Sequence, residues 1–341
     1  MMEILPKDHN LELIKNITPS MRYKDGEDFV QWQANARARL CELLGFDNMK
    51  RAEDDKFTVE YNIQTEDYTE CRFTLQSEEG YIFPVVMRVP SDIEGKMPVM
   101  LALQGHSTGM HNSFGKPIFA KDERFLAEGD SDFVVRALKE GCIGVAIEQR
   151  NFGECGGNAQ TGEPECHIST MNAILLGKTT IGERVLDVMC VIDALIKYFD
   201  FIDTDNIMLM GESGGGTATF YAAAIDERIK LAMPICAMCT YKHSISAMFH
   251  CVCNFVPGIA KYFDMGDISG LIAPRKLVVV NGRYDNIFPD EGVREAYEET
   301  KRLYKAAGVP DNCALVTGEG GHRFYADAAW PVVHNIRGNL L

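Results

Sequence analysis

No stretch of the 341 residues approaches the run of about 20 apolar residues that a bilayer-spanning helix needs, so a membrane-spanning protein is not expected. The opening segment, MMEILPKDHNLELIKN, has no basic region leading into an apolar core, which argues against a signal peptide. Positive charge is in short supply. Lys and Arg number 34 against 49 Asp and Glu, giving a net charge of −15 and a pI near 5.0. Such a surface repels nucleic acid and anionic membrane, and neither is expected as a partner. Cysteine is not scarce, but the eleven residues are odd in number and lack a framework spacing. With no export signal, free thiols in a reducing cytoplasm are expected. Internal repeats and low-complexity linkers are also missing.

What is present suits a large core. The chain is 46% hydrophobic, enough for one sizeable domain with insertions or for two domains. Phe29, Trp32, Ala36, Leu40 and Leu43 recur at helical spacing, predicting a helix over about Glu27–Gly45 that stops at Gly45. Two extended stretches follow, KFTVEYNI and CRFTLQSEEGYIFPVVMRVP, and the SEEG turn in the second predicts an antiparallel pair. Then the rhythm changes. MPVMLALQ, CIGVAIEQ, NIMLM, KLAMPICA, KLVVVNG and CALVTG are short, continuous apolar runs alternating with helical segments. That alternation implies a parallel sheet covered on both faces. Helices are predicted over Asp132–Glu140, Ile181–Phe199, Ser213–Ile225, Asp290–Ala307 and Tyr325–Ile336. Two long irregular segments, 151–170 and 238–274, leave the carboxyl ends of predicted strands, where open α/β sheets place their sites.

Two Gly-x-Ser-x-Gly motifs compete for the role of nucleophile. In NIMLMGESGGGTATFYAAA a strand, a sharp glycine turn and a helix surround Ser213. That is the context a nucleophile elbow requires, and the helix N-terminus favours an anion forming beside it. Ser107, in GHSTG, also follows a strand, but TGMHNSFGKP after it has loop chemistry. Ser213 is therefore the expected nucleophile. The amide of Gly214 and, from the loop after LALQ, that of His106 are expected to form the oxyanion hole, with Gly105 as the alternative to His106.

The chain order in this architecture is Ser, then an acid, then His. Of His243, His250, His322 and His334, only His322 lies directly after the last predicted strand, in VTGEGGHRF. Asp285 and Asp290 both follow KLVVV; Asp290 beside Pro289 reads as a helix N-cap, so Asp285 is chosen. Substrate contacts are expected from Gln104, Glu212, Met238, Tyr241 and Phe249. Glu148, Glu154 and Glu212 could disfavour anionic substrates, but the preferred reading is that they are solvated or paired. CAMC and CVC bring Cys236, Cys239, Cys251 and Cys253 within a short span, a set that could bind zinc. Cys155 and Cys166-His167 make a weaker case. Free, packed thiols are the preferred reading, so neither metal nor cofactor is expected.

These motifs, in this order, resemble the α/β-hydrolase superfamily from about Tyr81 onward. QGHSTG, GERVLDVMCVIDAL, GESGGG, GRYDNIFP and GEGGHRF resemble, more narrowly, the acetyl xylan esterase-like and dienelactone hydrolase-like branch. DFVQWQANARARLCELLG is similar to the helical extension of acetyl xylan esterase-like members. Gln104-Gly105-His106 departs from the branch's common His-Gly loop, and EQRNFGECGG only loosely matches its sugar-deacetylase loop. The resemblance implies a mostly parallel, eight-stranded sheet with helices on both faces. It divides the chain into an N-terminal helical extension (1–55) and a hydrolase domain (56–341) with a cap-like insertion at 238–274. It further implies a serine hydrolase cleaving a small-molecule ester, such as an acetylated sugar, through an acyl-enzyme. A peptidase, amidase or thioesterase on the same three residues, and a non-catalytic binding protein, stay open as alternatives, as does a homo-oligomer.

Overall fold

Residues whose side chains alternate between two covered faces make strands that are apolar throughout, and the central strands here are of that kind. In a computed structural model, which describes residues 5–338, nine strands form one sheet. They are β1 (Thr58–Gln64), β2 (Tyr68–Glu78), β3 (Tyr81–Pro90), β4 (Met97–Leu103), β5 (Ile143–Ile147), β6 (Ile202–Glu212), β7 (Leu231–Ile235), β8 (Lys276–Gly282) and β9 (Cys313–Gly318). The spatial order is β1-β2-β3-β5-β4-β6-β7-β8-β9. The first three strands pair antiparallel, as does β3 with β5, and the remaining pairings are parallel. The sheet thus has one strand more than the eight implied by the resemblance. Its outer strand, β1, is largely exposed and extends the antiparallel edge.

Ten α-helices accompany the sheet among the described residues: α1 (Pro6–Asn16), α2 (Phe29–Leu44), α3 (Asp122–Gly129), α4 (Phe133–Lys139), α5 (His167–Leu175), α6 (Thr180–Tyr198), α7 (Gly214–Ile225), α8 (Met265–Ser269), α9 (Asp290–Ala306) and α10 (Ala326–Arg337). Alternate residues of the central strands feed two cores. Leu101, Leu103, Val145, Leu209 and Val279 pack on one face with side chains of α2, α6, α7 and α9. Met100, Ala102, Ala146, Met210 and Val280 pack on the other with Phe133 and Val134 of α4 and Trp330 and Val333 of α10. The α2 helix starts where the Asp28 carboxylate accepts from the Gln31 amide, and ends at Gly45, whose φ of 84° suits a residue without a Cβ. Its Trp32, Ala36, Leu40 and Leu44 are buried, tying the N-terminal region to the sheet. None of the described helices is long and apolar enough to cross a membrane.

The 238–274 insertion is mostly turns, with α8 near its end. Met238, Tyr241, Ile245, Val256, Ile259 and Phe263 are buried in the α2-side core, so much of the insertion's apolar content packs onto the body.

Candidate active site

The chain leaves β4 for β5 on one side of the sheet and later enters β6 on the other. β4 and β6 are therefore neighbours, with Leu103 opposite Gly211. Loops diverging from adjacent strand ends open a crevice there. Gly105 and His106 follow β4, and Ser213 follows β6, so the crevice brings together residues about a hundred positions apart.

Ser213 has φ 53° and ψ −119°, a backbone conformation that non-glycine residues rarely adopt. Its amide donates to the Ile235 carbonyl (2.8 Å) and its carbonyl accepts from the Thr217 amide (2.8 Å), holding it between β7 and α7. The turn is too tight for flanking side chains. A Cβ on Gly211 would stand 2.5 Å from the Gly215 carbonyl oxygen. Ser107 also borders the crevice, but on a loop that continues into a short 3-10 turn.

The Asp285 and His322 loops leave β8 and β9, which pair in parallel with Gly282 opposite Gly318. The Arg283 amide bonds the Gly318 carbonyl (2.8 Å) and the Tyr284 amide the Gly320 carbonyl (2.9 Å), locking the loops together. His322 Nδ1 lies 2.8 Å from Asp285 Oδ2, and Asp285 Oδ1 accepts from the amides of Ile287 (2.8 Å) and Phe288 (3.0 Å). With a carboxylate acceptor there, Nδ1 carries the hydrogen and Nε2 keeps its lone pair. The ring stacks on Phe288, 5.9 Å between centroids. Burial pulls the His322 pKa down, but the hydrogen bond and charge of Asp285, with Glu212, raise it above the usual histidine value. Burial pushes Asp285 up, and the His322 bond and the two amides outweigh that and lower it. The rival residues are otherwise engaged. His243 bonds Thr240 Oγ1, His250 bonds Ser244 Oγ and His334 bonds Glu140. Asp290 is the first residue of α9 rather than its cap, and it accepts from Asn281 Nδ2 at 2.9 Å.

Ser213 and His322 line one cavity of about 550 Å3. Among the described residues no hydrogen bond yet joins Ser213 Oγ to the His322 ring; such bonds often tighten only around a substrate. Neither the Gly214 amide nor the His106 amide has an acceptor among the described residues. Of the expected substrate contacts, Gln104 and Glu212 reach the cavity. The Gln104 amide is already committed to Ser113 Oγ (2.8 Å) and the Ser131 carbonyl (2.7 Å). Glu212 has no partner among the described residues, and burial pushes its pKa up to about 7 despite His322 nearby. Glu154 pairs with Arg72, while Glu148 is buried, accepts the Met110 amide and is pushed up by burial to about 8.

The other three expected contacts do not reach the cavity. Met238 and Tyr241 are buried in the core, where the Tyr241 and Tyr221 hydroxyls share a 2.6 Å hydrogen bond. Phe249 is 94% exposed and borders a different depression. Instead of the 238–274 insertion, a wall comes from Lys121, Arg124, Phe125, Glu128, Gly129 and Ser131, on and flanking α3. Sequence reasoning missed this wall because α3 is short and half of its residues are charged, leaving no apolar stripe to read. The available signal was the length of chain between β4 and β5. Cys236, at φ 48° after β7, lies beside Asp285 and His322 and donates to the Arg323 carbonyl; burial keeps it a neutral thiol.

The zinc set considered from spacing does not assemble. Cys251 and Cys253 meet Cys166 and His106, not Cys236 and Cys239. His106 Nε2 lies 3.2 Å from Cys253 Sγ. Burial lowers His106, and the Cys251 and Cys253 thiols outweigh it, pushing its pKa up to about 9. All eleven cysteines are free of disulfides.

A mixed sheet wrapped by helices, with a strained serine after β6 and a bonded Asp–His pair after β8 and β9, defines an α/β-hydrolase fold. The chain belongs to the Abhydrolase family, whose model matches residues 9–317. Over 242 residues it is 28% identical to YtaP of Bacillus subtilis (strain 168), a protein assigned as a hydrolase, covering 70% of this chain and 77% of that one. Its fold is similar to that of a Bacteroides fragilis NCTC 9343 protein assigned as an acetyl xylan esterase. The TM-score is 0.78 at 18% identity, covering 92% of this chain and 82% of the other. It is also similar to a glucuronoyl esterase from Solibacter usitatus, with a TM-score of 0.66 at 16% identity, covering 94% and 96%.

Proposed function

We propose that the protein is a serine esterase acting on small esters of polyhydroxylated alcohols, through Ser213, His322 and Asp285. The carrying observation is the strained Ser213 backbone sharing a cavity with a His322 already bonded to Asp285. As Ser213 Oγ attacks the ester carbonyl, His322 Nε2 takes its proton, and Asp285 stabilises the resulting imidazolium. The Gly214 and His106 amides hold the oxyanion, each worth about 3 kcal/mol of barrier. His322 then protonates the leaving alcohol, and water releases the acyl group by the reverse sequence.

The wall chemistry supports the alcohol class. Lys121, Arg124, Glu128 and Ser131 set charged and hydroxyl groups beside the apolar surface of Phe125 and Ile287, and the Glu212 carboxyl is free to accept from a sugar hydroxyl. The fold neighbours named as carbohydrate esterases point the same way. The test is hydrolysis of a chromogenic acetate, beside an anilide and a thioester probe, by wild type and Ser213→Ala. The reading requires fluorophosphonate labelling at Ser213, acetate preferred over anilide and thioester, and loss of turnover in a folded variant. Undiminished acetate hydrolysis by Ser213→Ala would defeat it.

A further inference from the structure

Behind the oxyanion loop lies a second cluster of chemically soft groups. His106, Cys166, Cys251 and Cys253 come from three separate parts of the chain: the loop after β4, the N-terminus of α5 and the 238–274 insertion. Their ligand atoms all lie within 4.8 Å of one another. A tetrahedral zinc, with Zn–S about 2.3 Å and Zn–N about 2.0–2.1 Å, holds its ligand atoms about 3.5–3.8 Å apart. Small side-chain adjustments separate the two arrangements, and the His106–Cys253 edge is already 3.2 Å.

A second observation concerns charge. Arg184 on α6 is buried, and among the described residues no carboxylate pairs with it. It donates to the Arg150 carbonyl (2.8 Å), approaches Cys253 Sγ at 3.6 Å and lies over the Phe152 ring, while its Nε has no partner among the described residues. A buried guanidinium needs an anion, and the thiols are the groups available to become one. Three thiolates around a dication leave one negative charge, which Arg184 cancels. Cys166 and Cys251 border an open depression of about 630 Å3, which gives an ion a way in.

We propose that His106, Cys166, Cys251 and Cys253 form a tetrahedral Cys3His site for a thiophilic divalent cation such as zinc, with Arg184 as its countercharge. The His106 ring also packs on the nucleophile elbow, since a Cβ on Gly214 would lie 2.8 Å from it. A bound ion on Nε2 pins that ring and so steadies the loop that carries the proposed oxyanion amide. Metal binding stands apart from the esterase reading; only this coupling to turnover rests on it.

The test is metal analysis of the full chain purified under reducing conditions and reconstituted with Zn2+ alone, followed by Co2+ substitution. About one equivalent of zinc per chain is expected, with thiolate-to-cobalt charge transfer and the strong visible bands of a tetrahedral site. Cys166→Ser/Cys251→Ser should drop to near zero equivalents, while Cys41→Ser/Cys313→Ser keeps the full content. Substoichiometric zinc in the wild type, full content in the first double variant, or a disulfide joining any two of the three cysteines overturns the site. If the first double variant does not fold, the wild-type cobalt spectrum decides, and absence of the thiolate band overturns it. Chelation should lower kcat with little change in KM. Metal bound but turnover unchanged on its removal overturns the coupling and leaves the site standing.

Discussion

Two buried charge centres lie at the same end of the sheet, and they are built differently. Just after β5, Arg150 is saturated. Its Nε and Nη2 meet Asp187 (both 2.9 Å), Nη1 meets Glu78 (2.8 Å), Glu183 stands at 3.2 Å, and the Tyr81 ring packs against the guanidinium. Lys178 closes the network from the Glu78 side. Asp285 and His322 form a smaller unit with a surplus: the Asp285 bond takes one ring nitrogen and leaves the other for the cavity. A network whose every group is engaged can only hold shape. One with an unused lone pair beside a strained serine is equipped to move a proton.

The difference is sharpest if each centre is broken in turn. Ser213→Ala removes the proposed nucleophile without disturbing either network. We expect kcat for acetate hydrolysis to fall about a million-fold, with an unchanged denaturation midpoint. Asp285→Asn keeps the shape but lets the amide donate to His322, favouring the wrong tautomer. A loss of about 10^4 in kcat is expected, measured on protein whose circular dichroism matches wild type. A comparable loss of stability rather than rate would place Asp285 with the scaffold instead.

Arg150→Met should do the reverse. Removing Arg150 strands Asp187 and leaves Glu78 and Glu183 with Lys178 alone in a buried site, which costs about 3–5 kcal/mol. Urea titration should show a lower midpoint with unchanged slope, while turnover per folded molecule stays near wild type. If kcat collapsed and stability held, the two centres would not be separable in the way their geometry indicates.

The same contrast explains what could be read before the fold was known. The parallel strands were legible because both faces are covered, leaving continuous apolar runs; KLVVVNG and CALVTG are β8 and β9 to the residue. The strand-end placement of Ser213, Asp285 and His322 was legible because each lies within a few residues of such a strand's carboxyl end, and strand ends converge by topology alone. Residues whose place depends on side-chain packing were not. Tyr241 looked like a substrate contact and found a hydroxyl partner in the core, and Phe249 pointed to solvent. The Lys121–Ser131 wall has no periodicity to announce it. The His106–Cys166–Cys251–Cys253 grouping needs three loops to meet, so neither spacing nor pattern could select Cys166 over the nearer Cys236 and Cys239.

The smallest expected effect separates the two centres by pH. In the proposed mechanism His322 works only when neutral, and its pKa is raised by Asp285 and Glu212 against burial and the nearby His106. Activity should therefore fall as pH drops through a value above the ordinary 6.5 of histidine, rather than through it. Glu212, itself pushed up to about 7, titrates in the same range, so the acid limb of kcat/KM belongs to the pair. Glu212→Gln removes one source of negative potential. The His322 proton then leaves more easily, and the acid limb should move to lower pH, with kcat on the plateau little changed. A limb that stays fixed would mean that Glu212 does not act on His322, and that Asp285 alone sets the base.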